Sequence, residues 1–305
     1  MQLSKDQVAA KTGGLVPPSL VRRALSRSLG DAEVALCLHR VLEARRPADR
    51  QPAMTMPPRE LDALVEVLLS TRAPSAPRWL TVSFDDGYAD AAEYVGSRAA
   101  RFETVEFLLC VCPEKLEAPA GFRWDLAEAA RDGDVAALLD APANLLAENA
   151  REDLRRVAAQ PAFRLASAAQ LRALAALPNV ALGNHTNCHL KASSLSLEDV
   201  RSEYRRSDEA FTRLFGPAAH FAFPYGTPGH HFDARHVAEA RAVRRDAVHW
   251  TTEPRPFERG ERVPGAVLPR FPVDGRLSHR ELAAWIAIRA ADFRLRGTRH
   301  HFAGA

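Results

Sequence analysis

Only four cysteines, Cys37, Cys110, Cys112 and Cys188, occur in 305 residues. That is too few for a disulfide framework, so a packed core has to hold the fold and a reducing compartment is expected. Long apolar runs are missing: none approaches the roughly 20 residues needed to cross a bilayer. The first twenty residues hold Lys, Asp, Gly and Pro where a secretory leader would hold its apolar stretch. A cytoplasmic protein without a transmembrane segment is therefore the expectation. Basic clustering is missing too. Against 41 Lys+Arg stand 38 Asp+Glu, a net charge of +3, with the arginines scattered along the chain, so nucleic acid is not an expected partner. Internal repeats and low-complexity linkers are also lacking. What remains, 47% hydrophobic and 26% charged residues, is a globular composition, long enough for one large core or two ordinary ones.

Residues 1–30 read as an arm followed by a short basic helix, 19–29, with Leu20, Val21, Leu25 and Leu29 on one face. This helix is placed at the periphery, as an ordinary packed helix or one touching anionic lipid. Residues 31–305 read as a single domain of alternating units. An apolar strand at 33–38 ends at His39-Arg40 and is followed by a helix at 58–70. A second strand, 79–84, ends at Asp85-Asp86-Gly87 and leads into a helix. Further strands are expected at 104–111, 180–182, 220–223, 247–251 and 266–268, with helical segments at 165–177 and from 196 and 278. Ser167/Gln170 and Ser278/Glu281 have capping-box spacing. Such alternation predicts an α/β fold whose parallel sheet closes or nearly closes into a barrel. Residues 117–162 break the rhythm; being Ala-rich, they read as a helical insertion.

Three segments at predicted strand ends carry chemistry. In Ser83-Phe84-Asp85-Asp86-Gly87, two adjacent carboxylates need an opposite charge or a metal ion nearby, and strand alternation sends them in different directions. An ordinary solvated turn is the competing explanation. In His185-Thr186-Asn187-Cys188-His189, histidines at i and i+4 share one face of a helical turn and can aim at one ion; a wet helix face offers the same pair. Cys188 is turned away by helical phase and reads as a packed thiol. In Phe223-Pro224-Tyr225-Gly226, a rigid Pro and a permissive Gly shape either a loop with a function or a plain βα loop.

Together, in this order and spacing, the three segments resemble the motifs of polysaccharide deacetylases, metal-dependent esterases that remove acetyl groups from sugars. The resemblance runs from His39 to about Val273 and leaves the insertion unmatched. It implies a distorted (β/α) barrel. It also implies a divalent ion, zinc foremost with cobalt, nickel or iron as alternatives, held by Asp86, His185 and His189. Asp85 would be the base that deprotonates the attacking water, and the backbone N–H of Tyr225 would donate to the oxyanion. The implied substrate is an N-acetylated sugar in a polysaccharide or glycolipid. A non-sugar amide, an O-acetyl ester, or glycan binding without turnover are the alternatives.

Two departures stand out. Ala222 occupies the place of the family's base-orienting arginine, with Arg270 as the substitute candidate, or else a surface or phosphate-facing arginine. The family's late proton-donating histidine has no clear counterpart: His279 reads as solvated, His249 lies near a sheet end, and His39 serves either catalysis or a structural hydrogen bond across the barrel mouth. Cys110 and Cys112 read as core. Trp124-Asp125-Leu126 either lines a sugar site or anchors a helix, and Tyr88 flanks the site or packs beneath it.

Overall fold

The computed structural model describes residues 15–43, 52–73, 78–118, 121–122, 124–125 and 155–296. Most of the stretch read as a helical insertion, and the arm before residue 15, lie outside these residues. The chain begins with α1 (Pro18–Leu29), β1 (Val34–Leu38), β2 (Arg40–Val41), β3 (Thr55–Met56), α2 (Pro58–Leu69), β4 (Leu80–Phe84) and α3 (Ala89–Arg98). β5 (Val105–Val111), α4 (Pro113–Glu117), α5 (Ala168–Ala175), β6 (Val180–Asn184), α6 (Leu197–Phe215) and β7 (His220–Ala222) follow. The last elements are α7 (Ala234–Val243), β8 (Val248–Trp250), β9 (Val267–Leu268), β10 (Phe271–Pro272) and α8 (His279–Arg296).

Eight strands form one parallel sheet in the order β10-β1-β4-β5-β6-β7-β8-β9. Its two end strands are separated in sequence by Pro269 and Arg270 alone, so one short stretch finishes both ends and curls the sheet into a distorted (β/α) barrel. Strand alternation then divides the core. Leu80, Val82 and Phe84 of β4, with Val34, Leu36 and Leu38 of β1, face the helices. The inward set is smaller or polar beside the sheet's middle strands: Ala35, Cys110 and Ala222 share an interior cluster with the larger Leu108 and Trp250, and Thr81 and Ser83 are also buried. Small inward side chains leave room for a charged one, which Arg270 fills at 0% exposure.

The N-terminal helix is not peripheral. Val21, Leu25 and Leu29, at helical spacing, lie in the same core as Leu282, Ile286 and Ala290 of α8, whereas Leu20 stays 52% exposed. β10 escaped the sequence reading because it is two residues long and contains Pro272, which cannot donate to a ladder. The predicted caps hold at α8, where the Glu281 carboxylate accepts from the Ser278 N–H at 2.7 Å. At α5, Ser167 accepts from the Gln170 N–H at 3.1 Å. Among the described residues, no helix is long and apolar enough to cross a membrane.

Candidate metal and catalytic site

The parallel register brings the chemistry to one end of the barrel. Leu38 pairs with Phe84, and Val111 with Asn184. The residues that follow these positions, His39, Asp85 and His185, therefore emerge side by side at the C-terminal mouth, where barrel enzymes carry their sites. Ala222 and Trp250 pair likewise, adding Phe223-Pro224-Tyr225 and Thr251 to the rim.

Asp85 continues the inward alternation and meets Arg270. Arg270 Nη1 donates to Asp85 Oδ1 at 2.7 Å and Nη2 to Oδ2 at 2.8 Å, a bidentate pair. Arg270 is fixed in turn by donating to Ser83 Oγ at 3.0 Å and to the Thr251 carbonyl at 3.2 Å. The Cys37 thiol approaches Asp85 Oδ2 at 3.4 Å. Burial alone would raise the Asp85 carboxyl, but the Arg270 guanidinium, with His185 and His39, holds it well below the usual carboxylate range. The guanidinium that meets Asp85 thus comes from the break between β9 and β10, not from position 222.

Asp86 turns the other way. Its backbone has φ 75°, and Gly87 at φ 81° follows with Val111 so near that a Cβ would sit 3.1 Å from it. Asp86 Oδ1 lies 3.2 Å from His189 Nε2 and 3.6 Å from His185 Nε2. Neither Asp86 oxygen has a hydrogen-bond partner although both are buried. A carboxylate stripped of water and given no donor is costly unless a cation meets it. The His185 ring sits with Nδ1 at 2.9 Å from the Ala222 carbonyl, so Nδ1–H donates and Nε2 keeps its lone pair for the centre of the site. Burial lowers the His185 imidazole to about 4, which favours the neutral form a ligand requires. One atom from each of Asp86, His185 and His189 falls within 4.8 Å of the others. These residues fit a divalent ion in the three-ligand arrangement that leaves a coordination position open. A second group of the same span, Cys37, His39 and Asp85, already has its carboxylate engaged by Arg270.

The two histidines do not share a helical turn. Residues 185–191 form an irregular loop with Thr186 at φ 62° and His189 at φ 51°. Side chains replace the bonds a helix would have made. Asn184 Oδ1 accepts from the Thr186 N–H at 2.9 Å, and Glu203 Oε1 accepts from the N–H groups of Asn187 and Cys188, both at 2.8 Å. Glu203 was missed by sequence reasoning. Its signal was a buried carboxylate on the apolar face of α6, one turn before Ser207, which donates to Asn184. Among the described residues, the non-glycines with positive φ are Asp86, Thr186, His189 and Tyr225, all at this site; at about 1–2 kcal/mol each, such strain concentrates where function needs an unusual backbone.

An aromatic wall closes one side. Trp124 stacks on Phe122 with centroids 4.6 Å apart and meets the His189 ring edge-on at 4.8 Å. Trp124 Nε1 donates to Tyr88 Oη at 2.8 Å, and Tyr88 Oη donates to Asp125 Oδ1 at 2.7 Å. Tyr88 is therefore a buried support, and Trp124 both anchors its segment and lines the site; Leu126 lies outside the described residues. Tyr225, 40% exposed with φ 60°, also packs against the His189 ring, with centroids 5.1 Å apart. His279 is part-exposed, as expected, and is also paired: its side chain is 27% exposed and its Nδ1 lies 2.8 Å from Glu60 of α2. His249 is 0% exposed, between Phe221 and Phe223, away from the carboxylates. Cys110 and Cys112 are buried as expected.

The polysaccharide deacetylase family model matches residues 146–245, which span the second and third motifs. No curated protein matches the chain. Among solved structures, a polysaccharide deacetylase from Bacillus cereus superposes with TM-score 0.56 at 13% identity, covering 84% of this chain and 69% of its own. The Streptococcus pyogenes deacetylase PplD, in complex with acetate, gives 0.57 at 12%, covering 84% and 98%. IcaB from Ammonifex degensii gives 0.51 at 19%, covering 85% and 98%. The barrel is therefore the one seen in these structures; the sequence match takes in the second and third motifs and begins inside the stretch that the resemblance left unmatched, while the first motif, Ser83 to Gly87, lies outside it.

Proposed function

We propose that this chain is a metal-dependent deacetylase that hydrolyses the acetamide of an N-acetylated sugar in a polysaccharide or glycolipid. The observation that carries this reading is the buried Asp86 carboxylate, without a donor and faced by two imidazole Nε2 atoms, beside a second carboxylate held by an arginine. Asp86, His185 and His189 would hold the ion. When bound, a divalent cation supplies Lewis acidity toward a carbonyl and lowers the pKa of water.

The remaining steps belong to the chain. Asp85, kept ionised by Arg270, takes the proton from the attacking water. A carboxylate so far below the usual range is a weak base, so it suits a water already acidified nearby. Arg270 does not touch the reacting atoms; it fixes both Asp85 oxygens and is a positioning residue. The Tyr225 N–H, next to Pro224, donates to the oxyanion as the acyl carbon becomes tetrahedral. The proton taken by Asp85 passes to His39, which has a ring nitrogen within 4.8 Å of an Asp85 oxygen, and His39 delivers it to the leaving nitrogen as the C–N bond breaks, so that acetate and a free amine depart. Arg270 answers the arginine missing at Ala222, which favours turnover over glycan binding without it.

The test is acetate release by metal-loaded protein from acetylated sugar oligomers, O-acetyl esters and simple amides. Amide-linked sugars should be preferred, and Asp85→Asn should keep its metal while losing about 100-fold or more in rate. Undiminished turnover in Asp85→Asn, or no release from any acetamido sugar, would overturn the proposal.

A further inference from the structure

The loop at 185–189 carries both imidazoles of the candidate metal group, and each of its backbone donors has an identifiable acceptor. The His185 N–H donates to the Val111 carbonyl at 2.9 Å, continuing the ladder between β5 and β6. The Thr186 N–H goes to Asn184 Oδ1 and the His189 N–H to Thr186 Oγ1 at 3.2 Å, both within the segment itself. The two N–H groups between them, those of Asn187 and Cys188, converge on a single oxygen, Glu203 Oε1. Of these acceptors, Glu203 alone comes from outside the sheet and its loop.

Glu203 is buried on the inner face of α6, and its Oε2 meets the exposed Arg206 at 3.2 Å. One turn on, Ser207 Oγ donates to Asn184 Oδ1 at 2.5 Å, so one face of α6 holds the loop on both sides, before His185 and before His189. Sinking a carboxylate between helix and sheet is costly, and an apolar residue would pack there more cheaply. What the carboxylate supplies is charge-assisted hydrogen bonding to two peptide groups. The loop depends on it, because Thr186 and His189 both lie at positive φ, a strained path that relaxes unless the surroundings hold it. The two histidines are not held alike. His185 is fixed by the ladder and by its Nδ1 on the Ala222 carbonyl, the outer bond that usually orients a ligating imidazole. His189 Nδ1 is buried without a partner, so its ring is placed by aromatic packing and by the backbone that Glu203 anchors.

We infer that Glu203 is a positioning residue for the metal site: by anchoring the peptides of Asn187 and Cys188 it places the His189 imidazole against Asp86 and so sets the affinity for the ion, without touching ion or substrate. The inference rests on the metal site of the deacetylase reading and not on its substrate, so it is tested by binding, on the full chain. Zinc affinity is measured by competition with a chromophoric chelator, and the thermal midpoint is measured with and without zinc. Glu203→Ala should weaken zinc binding by about 10–100-fold and shrink the rise in midpoint that zinc produces. Glu203→Gln, which keeps an acceptor oxygen at the same reach, should recover most of that loss. If Glu203→Ala does not fold, Glu203→Asp, with its oxygens drawn back by one methylene, should weaken zinc in the same direction. A carboxylate serving the fold alone would lower the midpoint with and without zinc equally and leave zinc affinity unchanged. That result, or Glu203→Gln as impaired as Glu203→Ala, would overturn the inference while the metal site stands. No zinc bound by the wild type would remove the metal site and the positioning role with it. If zinc affinity follows Glu203 yet no acetamido sugar is hydrolysed, the deacetylase reading fails and the positioning role stands.

Discussion

Two hydrogen bonds join Arg270 to Asp85 inside the barrel, a geometry that a lysine ammonium cannot reproduce. Arg270→Lys is expected to lower acetate release by about 10–100-fold through misplacement of the base. Arg270→Met, which removes the charge, should also move the acid limb of the rate profile to higher pH, because Asp85 then loses the group that holds its carboxyl down. A purely structural arginine would lower activity without moving that limb. Asp125 gives a second titration. Burial raises its carboxyl to about 7, despite donation from the Phe122 N–H and Tyr88. Because the folded state holds that proton more tightly than the unfolded chain, stability from this residue is greatest below about pH 4 and declines as pH rises to about 7. Asp125→Asn has no such proton. Its deficit in thermal midpoint relative to the wild type should shrink between pH 5 and pH 8, by the equivalent of at most about 3 kcal/mol; parallel curves would contradict the assignment.

At the scale of elements, helix α1 joins the core through Leu25, which is fully buried against the far end of the chain. Leu25→Ala should cost about 2–5 kcal/mol in denaturant unfolding; a loss below about 0.5 kcal/mol, ordinary for a surface position, would return the helix to the periphery. Its amphipathic face was legible in the sequence. Its partner was not, because α8 lies some 250 positions away and local periodicity says nothing about which elements meet. Strands β1, β4 and β5 were legible because each is an apolar run closed by turn residues. The histidine segment was misread as a helical turn for an instructive reason. The spacing suits a helix, but the backbone is held by Asn184 and by Glu203 from α6, and only the fold brings Glu203 there.

Over the whole molecule, one stretch interrupted at Pro269 and Arg270 supplies both end strands of the curled sheet, and that interruption delivers the guanidinium to the lumen. The candidate metal group, Asp86, His185 and His189, was recognisable because three short motifs kept their order. Arg270 was recognisable only as one candidate among scattered arginines, since pairing with Asp85 depends on β9 and β10 lying at opposite ends of the sheet. Two neighbouring groups could hold an ion, Asp86-His185-His189 and Cys37-His39-Asp85, and they differ in sulfur. X-ray absorption at the metal edge of the zinc-loaded protein distinguishes them directly. The expected spectrum shows two imidazole nitrogens and oxygen at about 2.0–2.2 Å with no sulfur shell; a sulfur scatterer at about 2.3 Å, or a single imidazole, would contradict the site described.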